Sequence, residues 1–207
     1  MIRPARKSDA SAIAEICHRT GYMGDDLRGS GRFDDERLFA LVFCLYYVWF
    51  ETDHCFVAEE EGKAVGYIIG TSKAEAQAAD FDRRMLPRIA LRLYAYTSWR
   101  HPAAFREVLY WRRHEESEVP PSGYRAHLHI NILPGYQRRG LGSGLMAAFT
   151  EKLRGEGLDR VYLGTSNHNL KALEFYRKCG FEEIERRPQK FWSGVEDLEE
   201  IVLGLKF

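Results

Sequence analysis

The sequence predicts a mixed α/β fold with one central sheet flanked by helices. Short alternating apolar runs typical of strands are interleaved with segments whose apolar residues recur at helical spacing. The predicted order is β-α-α-β-β, a helical insert, and then β-α-β-α-β-β. This interleaving favours a mixed sheet.

The first predicted elements are a short strand and two helices. Residues 2–4 form the strand, and residues 8–20 have the apolar spacing of a helix. A glycine-rich loop follows. An aspartate cap at Asp34 or Asp35 then opens a second helix that reaches about Phe50 and is apolar over much of its circumference.

A hairpin and a helical insert come next. Strand-like runs at 54–59 and 64–70 are joined by a turn that contains glycine. From about residue 72 to 120 the strand rhythm stops, and helices are predicted over 74–97 and 102–115. We therefore expect one domain over residues 1–207 that carries this insert.

The second half of the chain is predicted to contain four strands and two helices. The strands cover 124–133, 160–164, 181–185 and 198–206, and the helices cover 141–154 and 170–178.

The composition is that of an ordinary soluble protein and gives no support to a nucleic-acid or membrane partner. Lys+Arg and Asp+Glu both total 30, so the formal net charge is zero. The longest apolar run, residues 38–50, is too short to span a bilayer. The four cysteines lack metal-site spacing, so we expect no metal and a reduced cytoplasmic setting. They are Cys17, Cys44, Cys55 and Cys179.

A basic, glycine-rich stretch leads from the strand at 124–133 into the following helix. Such a loop directs unpaired backbone N–H groups and the positive end of a helix dipole at one spot, which suits an anion such as a pyrophosphate. Its glycines permit a close approach of the backbone, and its arginines add charge. The candidate residues are Gln137, Arg138, Arg139, Gly140, Leu141, Gly142, Ser143 and Gly144.

The predicted helix at 170–178 carries a second set of candidates. Asn169, Ala172 and Tyr176 are spaced i, i+3 and i+7, so they are expected to share one face. A small residue between an amide and a phenol would let an extended ligand lie close to that face.

Two stretches together resemble the GNAT superfamily of acetyl-CoA-dependent N-acetyltransferases. They are PGYQRRGLG at 134–142 and NLKALEFYRKCGF at 169–181. The resemblance implies a mostly antiparallel sheet that splays between the fourth and fifth strands. It also implies that acetyl-CoA is bound in that gap, with its phosphates on residues 137–144.

The resemblance also implies roles for individual residues. Ile132 and Leu133 would contact the pantetheine arm of acetyl-CoA, Asn169 would hydrogen bond to it, and Ala172 would lie beneath it. Tyr176 would protonate, or hydrogen bond to, the departing thiolate. A phenol suits that role because it is a neutral donor at pH 7.

The group that removes the amine proton is the open point of this reading. Family members often carry a carboxylate on the strand before the phosphate loop, whereas this strand offers His129 and Asn131. Histidine has a suitable pKa for a base, and asparagine could only orient a substrate. Glu59 and Glu60, on an earlier strand, are alternative carboxylates.

The function implied is transfer of acetyl from acetyl-CoA to a primary amine of a small molecule or peptide. The alternative is a module that binds acetyl-CoA without turning it over. The run AHLHINILP at 126–134, with the insert, also looks like bacterial relatives of the acetyltransferase-like domain of O-GlcNAc hydrolases. An acid often stands there where Asn131 stands here.

The insert is expected to lie near the acceptor side as a lid, a substrate-recognition element or a dimer surface. Basic residues alternate there with aromatic ones, among them Trp99 and Trp111, and the acidic run at 115–118 follows. This pattern is typical of an amphipathic helix with a solvated face, and it weighs against a nucleic-acid surface.

Overall fold

The computed structural model describes residues 1–114 and 119–207, and the acidic run at 115–118 lies outside them. Seven strands form one sheet in the spatial order β1-β2-β3-β4-β5-β7-β6. The strands are β1 (Ile2–Pro4), β2 (Phe56–Glu60), β3 (Lys63–Thr71), β4 (Ala126–Ile132), β5 (Arg160–Ser166), β6 (Glu182–Pro188) and β7 (Glu199–Lys206).

Helices cover both faces of this sheet. They are α1 (Ala10–Arg19), α2 (Glu36–Phe43), α3 (Leu45–Phe50), α4 (Ala74–Arg92), α5 (Ser98–Arg100), α6 (Pro102–His114), α7 (Leu141–Gly155) and α8 (Leu170–Lys178). A π-helical turn at Leu93–Thr97 joins α4 to α5. None of the helices in the described ranges is long and apolar enough to cross a bilayer.

The pairing of β4 with β5 is the irregular point of the sheet. β4 and β5 run parallel, whereas all the remaining neighbouring pairs of strands are antiparallel. Only two residue pairs are in register, Ala126 with Val161 and His127 with Tyr162, although both strands have seven residues. The strands therefore part after His127. The predicted mixed, mostly antiparallel sheet and its splay are confirmed.

Alternation along β4 separates two cores. Leu128 lies in the core that includes Leu145 and Phe149 of α7 and Leu173 of α8. His127, His129 and Asn131 face the opposite side. On that side Tyr67 and Ile69 of β3 belong to the core formed with α1, α2 and α3. The odd-numbered polar residues of β4 thus point toward the α1–α2 layer.

The helix predicted from Asp35 to Phe50 is two helices, because the backbone leaves the helical region at Cys44. Asp35 is the N-cap of α2, and its carboxylate accepts a hydrogen bond from the Leu38 N–H at 3.0 Å. A single straight helix with apolar residues on most sides could not bury all of those residues against one core. The break at Cys44 lets apolar residues of both segments enter the core.

Asp35 also holds the insert against the rest of the protein. Its side chain is 1% exposed and accepts hydrogen bonds from Arg92 and from the Thr97 hydroxyl. The π-helical turn brings these two donors, five residues apart, to one carboxylate. This contact explains why regular α-helix ends at Arg92, and not at Thr97 as expected. Burial tends to raise the pKa of Asp35, but the hydrogen bonds from Arg92, Thr97 and Leu38 keep it below its ordinary value.

Replacement of Asp35 with alanine is expected to lower the free energy of unfolding by about 2–4 kcal/mol, because a helix cap, two hydrogen bonds from Arg92 and one from Thr97 are lost together. Urea denaturation would measure it, with the exposed Asp82→Ala as control. Since the folded-state pKa of Asp35 is depressed, its contribution is present above about pH 4 and lost as the pH falls further. Equal stability of the two variants would contradict this role.

Candidate active site

The gap between β4 and β5 exposes backbone groups of β4. The Leu133 N–H donates to Val65 O of β3 at 2.9 Å. Since backbone groups alternate sides along a strand, Ile130 and Ile132 direct theirs toward β5, where the pairing has ended. An extended ligand could hydrogen bond there as an additional strand would.

Ile132 directs its backbone toward the gap, where its C=O accepts a hydrogen bond from Gln137, whereas the backbone of Leu133 is turned away from the gap. Contacts of either residue with a pantetheine arm stay a prediction. Both polar backbone groups of Leu133 are used within the protein, since its C=O accepts from the Tyr136 N–H at 3.1 Å. Its side chain is buried in the core on the α1–α2 side. Ile130, two residues before Ile132 on the same strand, also directs its backbone groups toward the gap. Sequence spacing alone does not show which strand edge faces the gap.

The basic loop leads directly from this gap into α7. Gly140 is the N-cap in the left-handed conformation, with φ of 79°, and the first hydrogen bond of the helix runs from Gly144 N–H to Gly140 O at 3.0 Å. The amides of Leu141, Gly142 and Ser143 precede it and have no acceptor within the helix. They point out of the helix N-terminus, which suits an anion.

The loop side chains are not equivalent. Arg139 forms an ion pair with Glu60 at 3.2 Å and lies over the Tyr136 ring. Arg138 is exposed and adopts a left-handed backbone conformation, with φ of 61°. Gln137 turns back to donate a hydrogen bond from Nε2 to Ile132 O at 3.0 Å. Arg138 is thus the more available cation for a phosphate.

The three glycines also differ in purpose. A Cβ on Gly140 would meet nothing within 4 Å, so its left-handed conformation alone favours glycine. A Cβ on Gly142 would lie 2.9 Å from the Phe175 ring, and one on Gly144 would lie 3.1 Å from Ile2. Gly142 and Gly144 therefore allow α7 to pack closely on α8 and β1, a reason that the sequence reading did not give.

Asn169 lines the cavity beside the gap, whereas Ala172 and Tyr176 of α8 pack in the core on the α7–α8 side. Asn169 is the N-cap, and its Oδ1 accepts from the Ala172 N–H at 3.2 Å. Its amide also packs against Gly24 of the α1–α2 loop, where a Cβ would come within 2.9 Å. The Asn169 Nδ2 group keeps its donor capacity, so a role toward a ligand is compatible with the cap.

Tyr176 is buried at 6% exposure in the core beneath α7 and α8, beside Phe175 and Phe181. Burial raises the pKa of its hydroxyl, and the neighbouring Cys179 adds to that effect. The phenol therefore stays protonated throughout the physiological range and can act there only as a hydrogen-bond donor in its neutral form.

A cavity of about 260 Å³ opens beside the splay on the α1–α2 side of the sheet. The pocket-facing residues of β4 and β5 line it, and Asn169 lies at its edge with Gly24. Phe39 and Phe43 of α2 and the rings of Phe191 and Trp192 supply apolar walls. A cavity that joins an apolar wall to a few convergent polar groups is the usual form of a small-ligand site.

His127 and His129 both line this cavity, with ring centroids 4.5 Å apart. Burial lowers the pKa of His129 to about 4, and burial together with the neighbouring His129 lowers the pKa of His127 well below its ordinary value. Both rings are therefore neutral at pH 7. The neutral His129 ring can accept a proton, but its low pKa makes it a much weaker base than an ordinary histidine.

The other residues considered for the proton have different partners. Asn131 donates from Nδ2 to the buried Tyr67 hydroxyl at 2.7 Å, which fixes the amide in the wall of the cavity. Glu59 is bound by Arg3 at 2.7 Å, and Glu60 by Arg139. Neither carboxylate lines the cavity. The arginine contacts and the position outside the cavity weigh against either glutamate as the base.

A carboxylate does line the cavity, but it comes from a strand that the sequence reading did not connect with the site. Glu200 of β7 is the one Asp or Glu in the lining of this cavity among the described residues. It pairs in register with Ser166 of β5 and Arg187 of β6. The alternation of β7 was visible in the sequence, but its place between β5 and β6 was not.

The insert contributes less to the cavity than expected. Trp99 is 84% exposed and does not line it. Trp111 packs between Phe33 and Phe191 and donates its indole N–H to Phe191 O at 2.5 Å. Val119 is the insert's one described residue in the lining, and Pro121 follows directly after the insert. The α4–α6 segment thus acts mainly as an outer layer behind the cavity wall, and Trp111 supports that wall from the core.

A family model described as "Acetyltransferase (GNAT) family" matches residues 25–181. The structure named SsHAT is 29% identical, with a TM-score of 0.73 over 100% of this chain and 97% of that one. YncA from Salmonella typhimurium, solved with its cofactor acetyl-CoA, is 20% identical, with a TM-score of 0.55 over 100% and 92%. At 20% identity, the similarity to YncA supports the fold alone.

Among curated sequences, an uncharacterized N-acetyltransferase of Bacillus subtilis, YvbK, is 33% identical over 54 residues. That alignment covers 26% of this chain and 35% of YvbK. An uncharacterized protein of Mycobacterium leprae is 34% identical over 79 residues, or 38% of this chain. The chain thus spans 21% and 35% of the two curated relatives.

The low basicity of His129 predicts a distinct pH dependence. Because its pKa falls from an ordinary 6.5 to about 4 on folding, the protein should be fully stabilised above about pH 6.5 and lose that contribution as the pH falls toward 4. NMR titration of the ring should show half-protonation near pH 4. His129→Gln should flatten the fall in unfolding free energy between pH 7 and 5. Titration near pH 6.5 would contradict this.

Proposed function

The chain belongs to the acetyltransferase (GNAT) family, and on that premise we propose that it transfers an acetyl group from acetyl-CoA to a primary amine. The observation that carries the proposal is the parting of β4 from β5 after His127, beside a helix N-terminus and a cavity. The gap provides a place for an extended thioester, and the cavity provides a place for the acceptor.

Three elements would hold acetyl-CoA. The amides at the start of α7, with Arg138, suit the pyrophosphate. The backbone groups of Ile130 and Ile132 suit the amides of the pantetheine arm. Asn169 lies where its Nδ2 group would donate to the same arm, and Ala172 leaves room for it. Acetyl-CoA supplies the activated acyl group, and the chain supplies its orientation.

The reaction is direct attack of the amine. The nitrogen lone pair forms a C–N bond to the thioester carbonyl, and the C–S bond then breaks. The nitrogen loses one proton to solvent, and the departing thiolate gains one, so the products are an N-acetyl amine and free CoA thiol. Among the described cysteines, Cys17 alone lines the cavity, and its side chain is buried at 4% exposure; direct attack requires no cysteine to carry the acetyl group.

Tyr176 is proposed to stabilise the departing sulfur by a hydrogen bond. A thiol has an ordinary pKa of about 8.5 and a phenol one of about 10, so complete proton transfer from phenol to thiolate is already uphill. Burial raises the pKa of Tyr176 further, which makes the transfer less favourable still. Hydrogen bonding needs no such transfer, and it strengthens as negative charge develops on sulfur.

A second candidate function, binding of acetyl-CoA without turnover, is favoured by one observation. His129, the nearest candidate base on β4, has a pKa of about 4, and Asn131 beside it is held by Tyr67. A base of that strength retains little driving force to accept a proton from an amine. Under this alternative the gap would bind acetyl-CoA and the cavity would bind no acceptor.

Calorimetry with acetyl-CoA, followed by thiol release over a panel of primary amines, separates the two functions. Transfer predicts saturable thiol release with at least one amine, together with the N-acetyl product. Tight binding without thiol release for any amine in the panel would support the binding module. Absence of acetyl-CoA binding would contradict both.

Tyr176→Phe should lower the rate of thiol release by about a hundredfold, because one hydrogen-bond donor to the developing charge is removed. The affinity for acetyl-CoA should stay within about twofold, because the ring and its packing are kept. Tyr94→Phe is the matched control, since Tyr94 is 62% exposed on the insert. Full activity of Tyr176→Phe would remove this tyrosine from the reaction.

A further inference from the structure

The carboxylate of Glu200 reaches across the sheet toward the gap. An ideal Cβ placed on Gly164 of β5 would lie 2.2 Å from Glu200 Oε1. The carboxylate thus occupies the space that a side chain on β5 would take. Glu200 is half-buried and interacts with other groups of the protein, so its carboxylate is held in position and is not an unattached surface group.

Along the strand direction, the Glu200 carboxylate lies at the same position as the candidate reaction centre. His127 and Tyr162 are the last registered pair of β4 and β5. Two residues further along both strands stand His129 and Gly164, on the two sides of the gap. The Glu200 carboxylate therefore lies on the β5 side at the height where His129 lies on the β4 side, and both side chains line the cavity.

The charges of the residues that line the cavity favour Glu200 as a group that binds a cation. His127 and His129 are neutral at pH 7, and Asn131 is neutral in any case. Among the described lining residues, the formal charges are those of Glu200 and Arg187. Arg187 is the cross-strand neighbour of Glu200 on β6, and it also hydrogen bonds to Glu185 and to Val119 O. Because a carboxylate has about four acceptor sites, Glu200 can keep its contacts within the protein and still accept a hydrogen bond from a cation that enters from the gap side.

We propose that Glu200 is the residue that recognises the acceptor, by binding the ammonium group of a slender primary alkylamine and positioning its nitrogen beside the thioester. This inference rests on the proposed function and names its acceptor class. The cavity volume of about 260 Å³ lies below the usual range of about 300–1,000 Å³ for ligand pockets, which favours an unbranched chain. A free alkylamine and the side chain of a peptide lysine share this chemistry.

Glu200 is a specificity and positioning residue in this proposal. Binding of the ammonium brings the nitrogen to the height of the gap. One proton then leaves to solvent to give the neutral amine, and the nitrogen loses a second proton in the attack itself, as in the balanced reaction above. A hydrogen bond to a charged group contributes about 1.5–3 kcal/mol, which corresponds to about a tenfold to hundredfold change in affinity. Loss of the charge should therefore appear first in the KM for the amine.

The test compares Glu200→Gln with Glu199→Gln, using n-propylamine and an N-terminally blocked lysine peptide as acceptors. Glu199 is the next residue on the same strand, and its carboxylate pairs with Arg186 at 2.8 Å, outside the cavity lining. Glu200→Gln should raise the KM for the preferred acceptor at least about tenfold and leave the Kd for acetyl-CoA within about twofold. Glu199→Gln should change neither. The two acceptors show whether the amine is free or part of a peptide.

A second variant guards against a folding defect. Gly164→Ala keeps the charge but places a methyl group where Oε1 now lies, so the carboxylate must move. It should raise the KM for the amine with little change in the melting temperature. An unchanged KM in Glu200→Gln would overturn the proposal. Equal losses of amine and acetyl-CoA binding would also overturn it, because the effect would then not be specific to the acceptor.

Failure of this inference can be distinguished from failure of the proposed function. If the wild-type protein turns over no amine, the proposed transfer fails. Binding of n-propylammonium to the complex with acetyl-CoA, followed by NMR, then decides the role of Glu200 alone. Weaker binding in Glu200→Gln than in Glu199→Gln would support the assignment. Equal binding, or no binding to the wild-type complex, would overturn it.

Discussion

The rest of the candidate site depends on the early end of the pairing between β4 and β5. Two registered residue pairs hold the strands together, and beyond His127 each has an edge inside the sheet. Interior strand edges are normally paired, because unpaired backbone groups are costly when buried. An edge that opens toward a cavity is therefore a natural place for a ligand with its own amide groups. The loop before α7 and the capped start of α8 both lie at this opening.

The two faces of the sheet divide the work at this gap. The α7–α8 side contributes the helix N-terminus and the buried Tyr176 hydroxyl, which suit the cofactor and its leaving group. The α1–α2 side contributes the cavity, where neutral histidines and the Glu200 carboxylate face each other across the opening. Under the proposed transfer, β7 would supply the negative charge that β4 lacks, because β7 lies on the far side of β5 from β4.

Much of the fold could be predicted from the sequence, together with the elements that surround the candidate site. Strand alternation, helix spacing and the loop at 134–142 are local patterns, so they identified the elements, the family and the splay. Contacts between distant segments were less visible. The backbone hydrogen bond of Leu133 to β3 and the capping of α8 by Asn169 were not visible in the sequence pattern. Glu200 escaped notice because β7 inserts between β5 and β6, which no local pattern reveals.

Residue-resolved amide exchange, measured with and without acetyl-CoA, tests the central claim most directly. If the gap is the binding site, acetyl-CoA should slow exchange at Ile130 and Ile132 and at the amides of Leu141 to Ser143. The amide of Leu133 should change little, because it already donates to Val65 in β3. Binding that leaves the Ile130 and Ile132 amides unprotected, or that protects a different surface, would contradict the account.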